Sequence, residues 1–238
     1  MVYEIKPLKS ARDDIYKTDA QKKFILPPPG TCLIVGRTGS GKTTIVANLL
    51  KQRKMLKDYY DYIYVFCLSP CKVLEEHVDK IEDANVFTDE DPDKLKKLYE
   101  VNKSAVKELG FKRAPHTLFI LDDIIQSTKF MNSSVLRDIF FGGTHSKCSL
   151  WLLSQQYKSV PKRLRINCHS LIVCHGITLS EKEALAEEYQ SCYLTKKEFL
   201  DLIAYALKDA YSFMFINNTN PNKKECYHKG FNEILVIQ

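Results

Sequence analysis

Gly36-Arg37-Thr38-Gly39-Ser40-Gly41-Lys42-Thr43 satisfies the pattern G-x-x-x-x-G-K-[ST] at every fixed position. A run of this kind can hold a chain of phosphates. Its glycines let backbone N–H groups turn toward one anion, and the start of a following helix adds partial positive charge. Lys42 is the candidate for reaching the β- and γ-phosphates, and the Thr43 hydroxyl is the candidate ligand for Mg2+. Thr44 adjoins them in the binding run. The alternative is a Gly/Ser-rich connecting loop. The flanks decide between the two. Thr31-Cys32-Leu33-Ile34-Val35 reads as a buried strand, and Thr44 to Leu50 as a helix with Ile45, Val46, Leu49 and Leu50 as its apolar positions.

Two further groups of residues could complete that chemistry. Leu118-Phe119-Ile120-Leu121-Asp122-Asp123 is an apolar strand ending in paired acids, the Walker B pattern. Asp122 would support the Mg2+ shell, usually through water. Asp123 would serve as base or water-orienting group; the alternative is that both acids cap the next segment. Leu152-Leu153-Ser154-Gln155-Gln156 places an amide directly after a buried strand. If that strand neighbours the Walker B strand, Gln155 can touch the γ-phosphate or the attacking water. Otherwise it is a loop glutamine bonded to backbone.

The elements that must position these residues follow from hydrophobic runs and turn signals. Strands are expected at Tyr62–Leu68, Thr117–Leu121, Ser149–Leu153 and Ser170–Cys174. They are short continuous apolar runs, which signals a parallel sheet covered by helices on both faces. A helix is expected from about Lys72. Asp91 caps a long helix with Pro92 in its first turn and Gly110 as its stop; its apolar stripe is broken by Asn102. Ser180-x-x-Glu183 and Thr195-x-x-Glu198 read as capping boxes opening two more helices. Tyr211–Ile216 and Ile234–Ile237 are expected to close the sheet across a polar turn from Asn217 to Lys229. The reading is one α/β domain over 30–238, preceded by an arm over 1–29.

Composition sets outer bounds. The chain has 238 residues, and 35 Lys and Arg against 29 Asp and Glu leave a net charge of +6. No stretch has the charged-then-apolar layout of a signal peptide, and no apolar run approaches a membrane span. The eight cysteines contain no C-x-x-C pair. Cys32, Cys67, Cys148 and Cys174 lie in or beside strand runs and read as reduced core thiols. Cys168-His169 and Cys174-His175 lack the spacing of a zinc site. From Ile139 through Ser180 there is no acid, while Lys147, Lys158, Lys162, Arg163 and Arg165 all fall there. A polyanion suits such a stretch, and a solvated basic surface is the alternative. Arg165 also suits an arginine finger inserted into a neighbour's nucleotide site.

The order of these pieces resembles the FtsK–HerA superfamily of DNA-pumping ATPases. More narrowly it is similar to the DNA-packaging ATPases of poxviruses and related large DNA viruses and virophages. The resemblance runs from about Leu33 to Glu188. It is carried by Gly36–Thr43, Leu121-Asp122-Asp123, Phe140-Phe141-Gly142-Gly143-Thr144-His145, Leu153-Ser154-Gln155-Gln156-Tyr157, Val160-Pro161 and Arg165-Ile166-Asn167. It implies a RecA-like P-loop NTPase fold of the ASCE type. It implies Mg-ATP bound by Lys42, Thr43 and Asp122, water activated by Asp123, and the γ-phosphate sensed by Gln155. Arg165 leads the candidates for a trans-acting arginine, with Arg163 and Arg137 behind it. Where relatives often carry Arg before the histidine, this chain has Thr144. The resemblance further implies a homo-oligomeric ring, usually a hexamer, threaded by double-stranded DNA. A capsid or vertex protein would dock it, and the host-cell cytoplasm, at the virus factory, and the virion would be its locations. A small-molecule or nucleoside kinase is the alternative enzyme, and a nucleotide-gated scaffold the alternative outside catalysis.

Overall fold

The computed structural model describes residues 29–68, 71–189 and 194–235. The arm expected over 1–29 therefore lies outside the described residues except for Pro29.

Among the described residues, nine strands form one sheet: β1 (Thr31–Val35), β2 (Tyr62–Cys67), β3 (Val86–Phe87), β4 (Thr117–Asp122), β5 (Cys148–Ser154), β6 (Ser170–Cys174), β7 (Phe213–Asn217), β8 (Tyr227–Lys229) and β9 (Glu233–Ile234). Their order across the sheet is β3-β2-β4-β5-β1-β6-β7-β8-β9. All pairings from β3 to β6 are parallel, and β7, β8 and β9 are added antiparallel. The parallel strands are apolar throughout because both of their faces are covered. Leu33, Val35, Phe119, Leu121, Leu150 and Leu152 pack on one side; Cys32, Ile34, Leu118, Ile120, Trp151 and Leu153 pack on the other. The two-residue alternation of strand side chains makes that division.

Helices α1 (Lys42–Lys51) and α2 (Lys72–His77) cover the second face. The first face is covered by α3 (Pro92–Leu109), α4 (Thr128–Met131), α5 (Ser134–Gly142), α7 (Leu179–Tyr189) and α8 (Lys196–Ala206). The short α6 (Lys162–Arg165) lies between β5 and β6. In α3 the Asp91 side chain accepts from the Asp93 N–H, Pro92 opens the helix, and Gly110 ends it at φ 75°. Asn102, the polar break in its stripe, is a buried junction rather than a weakness. It donates to the carbonyls of Ser146 and Pro115 and accepts from the Thr117 hydroxyl, which ties α3 to the start of β4.

Two expectations need correction. The capping box proposed at Ser180 is at Thr178-x-x-Glu181, and α7 starts at Leu179. Thr178 caps because its hydroxyl accepts the Glu181 N–H while Glu181 reaches back to the Thr178 N–H. Glu181 also accepts from the backbone N–H of Tyr157 (2.8 Å), which the Ser180 register could not offer. The polar turn between Asn217 and Lys229 contains a strand, β8; of the strand expected over Ile234–Ile237, Ile234 falls in β9 (Glu233–Ile234), and residues 236 and 237 lie outside the described residues. Finally, β3 is a two-residue edge strand too short for any pattern to announce. The box at Thr195 and Glu198 is as expected.

Candidate nucleotide site

The phosphate-loop run joins β1 to α1, the strand–loop–helix context its mechanism requires. Gly39 and Gly41 sit at φ 77° and 92°, where an L side chain is strained. Gly36 has a different reason to be glycine. A Cβ there would come within 2.4 Å of Ser40 Oγ and 2.6 Å of Cys174 Cβ. Arg37, Thr38 and Gly39 are exposed at the tip, Thr43 is half-buried and Thr44 faces solvent. Lys42 is buried, and its Nζ donates to the carbonyls of Gly36 (2.7 Å) and Arg37 (3.3 Å). The ammonium is thus held against its own loop by two neutral acceptors.

The paired acids stand one strand away. Asp122 is the last residue of β4, and its register partners are Cys67 on β2 and Leu153 on β5. Burial, and then the charge of Asp123, raise the Asp122 carboxyl above its usual range. A hydrogen bond from the Cys71 thiol (3.5 Å) and the charge of Lys42 pull the other way. Cys71 was not a sequence candidate, and nothing in its surroundings in the chain singles it out. Asp123 has φ 53°, an uncommon conformation for a residue with a side chain. Two bonds hold it: its N–H donates to the Leu153 carbonyl (3.1 Å), and its Oδ2 accepts from Gln155 Nε2 (2.7 Å). Residues kept in such a region cluster at functional sites.

β5 lies between β1 and β4, so Gln155 projects from the strand that separates the phosphate loop from the acids. Successive carbonyls at the tip of β5 bind both neighbours. Leu153 O takes the Asp123 N–H, and Ser154 O takes the Gly36 N–H (3.1 Å). The loop, the acids and the amide therefore converge at one edge of the sheet. The donor set fits Mg-ATP. Backbone N–H groups and Lys42 suit phosphate oxygens, and the Thr43 hydroxyl and Asp122 carboxylate are hard oxygen ligands appropriate to Mg2+. Beside the loop, a cavity of about 580 Å3 continues from Gly41 and Thr44 to Tyr211, Phe213 and Phe231.

Arg165, expected as a trans-acting arginine, is bonded within its own chain. Its guanidinium donates to both oxygens of Glu188, on α7, and to the Val160 carbonyl (2.9 Å), and it lies 4.9 Å from the centre of the Tyr157 ring. The ion pair is largely buried, with side-chain exposures of 12% and 6%. Tyr157 in turn donates to Glu188 (2.6 Å). This network fastens the segment after Gln155 to α7. The basic stretch shrinks for similar reasons. Lys147 is buried, giving its Nζ to the Ala114 (2.7 Å) and Lys112 carbonyls, whereas Lys158 stays exposed and donates to the Ser180 hydroxyl (2.7 Å). Lys162 and Arg163 on α6, and Arg137 on α5, remain exposed.

Among the described residues, a nine-stranded, mostly parallel sheet with one strand inserted between the phosphate-loop strand and the acid-bearing strand is the P-loop NTPase fold of the ASCE type. The chain belongs to the poxvirus A32 protein family, whose model matches residues 20–234. No curated protein matches it at the sequence level. Solved structures share its fold. The DNA-packaging ATPase B204 of Sulfolobus turreted icosahedral virus superposes with a TM-score of 0.55 at 15% identity, over 80% of this chain and 93% of that one. The genome packaging NTPase B204 of Sulfolobus turreted icosahedral virus 2, solved in complex with ATP-γS, gives 0.54 at 16% identity, over 79% and 91%. ATPases 2 and 3 of EssC from Geobacillus thermodenitrificans give 0.53 at 16%, over 79% of this chain and 38% of that one. Among the described residues no helix is long and apolar enough to cross a membrane.

Proposed function

We propose that this chain is an ATP-driven translocase of double-stranded DNA, working as a homo-oligomeric ring that packages a viral genome. The observation that carries the reading is the contact between Gln155 and Asp123 at the sheet edge that bears the phosphate loop (2.7 Å). An acid and an amide paired in that way suit the positioning and deprotonation of water rather than of a bound alcohol. Membership of the poxvirus A32 family, and a fold shared with proteins described as packaging ATPases, support the same reading.

In this reading the loop N–H groups and Lys42 hold the β- and γ-phosphates. Thr43 and Asp122 hold Mg2+, which when bound neutralises charge on the phosphate oxygens. Asp123 accepts a proton from the attacking water, and Gln155 orients that water. The water oxygen bonds to the γ-phosphorus as the bond to the bridging oxygen of ADP breaks. Arg165 is spent within its own chain, so the exposed Arg163 and then Arg137 are the better candidates for completing a neighbour's site. Contacts of the ring with DNA would fall on phosphates and weaken as salt rises. Localisation at the virus factory or in the virion, and docking on a capsid or vertex protein, belong to the same proposal.

The test is ATP hydrolysis with and without duplex DNA. Wild-type protein is expected to turn over ATP and to be stimulated by duplex, and Lys42→Ala to do neither. Equal rates for the two under assembling conditions would end the motor reading.

A further inference from the structure

Tyr211 is the most exposed large apolar side chain among the described residues, at 74%, and no element of the hydrolysis machinery accounts for it. It stands just ahead of β7 with φ 60°, which is unfavourable for an aromatic residue. The turn that sets this conformation is firmly bonded: the Ser212 N–H donates to the Asp209 carbonyl (3.2 Å), and the His175 N–H to the Ser212 carbonyl (2.9 Å). The ring is thereby carried over the phosphate loop, where its Cδ1 lies 3.9 Å from the point a Cβ on Gly41 would occupy. An exposed ring fixed beside a helix N-terminus is poorly explained by packing.

The ring forms one wall of the cavity described above. That cavity has two ends of different chemistry. Gly39, Gly41, Lys42, Thr43 and Thr44 form a polar end, and Tyr211, Phe213, Phe231, Met55 and Val73 form an apolar one. Phe231 packs edge-on against Phe213 (4.9 Å) and Phe215 (5.3 Å), so the aromatic floor is continuous with the core. Besides the Tyr211 hydroxyl, the polar side chain near the apolar end is Asn48. Each of its groups already has a partner: Nδ2 donates to the Thr44 carbonyl (2.9 Å), and Oδ1 accepts from Gln52 (2.8 Å).

We propose that this apolar end seats the nucleobase, face-on to Tyr211, and accepts adenine and guanine alike. The inference rests on the reading of the polar end as a triphosphate site. Stacking needs only a π face, which every base has, whereas strong discrimination requires side chains that hydrogen-bond the edge of the base. The lining supplies the first, while the one amide in it, Asn48, is turned to Thr44 and Gln52.

Equilibrium binding of Mg-ATP, Mg-GTP and inorganic tripolyphosphate to wild type, Tyr211→Phe, Tyr211→Ala and Lys42→Ala tests this. The dissociation constants for ATP and GTP should agree within about tenfold. Tyr211→Ala should weaken both by about fivefold or more, the low end of what a stacked base contributes. It should leave tripolyphosphate binding unchanged, and Tyr211→Phe should bind both nucleotides as wild type does. A change below fivefold in Tyr211→Ala, an equal loss for tripolyphosphate, or a larger preference between ATP and GTP would overturn the proposal. Failure of the underlying reading is separate: wild type and Lys42→Ala would then bind tripolyphosphate equally.

Discussion

Asp122 serves two opposed demands. A carboxylate that is to hold Mg2+ must be ionised, yet burial and the adjacent Asp123 raise its affinity for a proton. A carboxyl whose folded pKa is raised opposes folding once it ionises. The loss begins as pH climbs past the unfolded carboxylate range and is complete above the folded value. Asp122→Asn removes that charge and keeps the shape. We expect its melting temperature in the absence of nucleotide and Mg2+ to rise, by about 2–4 °C for a gain of about 1 kcal/mol at this size. We expect a loss of about 10–100-fold in Mg2+ affinity or turnover. A thermal melt at neutral pH beside an Mg2+ titration checks both; a lower melting temperature would show that the carboxylate contributes to folding stability. Asp123 differs in kind, because its constraint is conformational and the partners of its N–H and its carboxylate, Leu153 O and Gln155, both come from β5 and its tip.

At the level of elements, the starts of β2 and β4 are joined through His116. Its carbonyl accepts from the N–H groups of Asp61 and Tyr62, and its own N–H donates to the Asp61 carboxylate (2.7 Å). Burial, with a smaller push from Lys147, lowers the imidazole from 6.5 to about 4. A histidine depressed in the fold contributes stability above its unfolded pKa and loses it as pH falls toward the folded one. Between pH 7.5 and 5 the loss is at most about 2 kcal/mol. Urea unfolding at the two pH values should show it, and His116→Gln should reduce the difference. The sequence made the elements around the site legible where local physics dominates. Asp91-Pro92 and Gly110 bounded α3, and continuous apolar runs marked β1, β4, β5 and β6. It was silent where a partner lies far along the chain. Nothing near Arg165 announces Glu188, and Ser180 looks as good a cap as Thr178 until Tyr157 is seen to need Glu181. The step of two through Phe213 and Phe215 did contain the signal that both share the face covered by α1. The sequence reading took it only as a strand.

For the whole molecule, the two neighbouring arginines separate stability from cooperation between subunits. Arg165→Ala strands Glu188 in a largely buried position and should cost about 3–5 kcal/mol of folding stability, measured by denaturant unfolding. Arg163→Ala, on the exposed face of α6, should leave the unfolding midpoint in place and abolish turnover. Mixing Arg163→Ala with Asp123→Asn should partly restore hydrolysis, because a mixed ring contains sites built from one intact half of each. No recovery at any ratio would remove Arg163 from a shared site. Within one subunit, the bonds from the tip of β5 have a further consequence. Consecutive carbonyls of a single strand anchor the loop that receives phosphate and the aspartate that faces it, so the two anchors sit on adjacent peptide units and neither can loosen without disturbing its neighbour. In deuterium exchange the Gly36 and Asp123 amides should then lose protection in step, two distant points of the chain ticking on one clock.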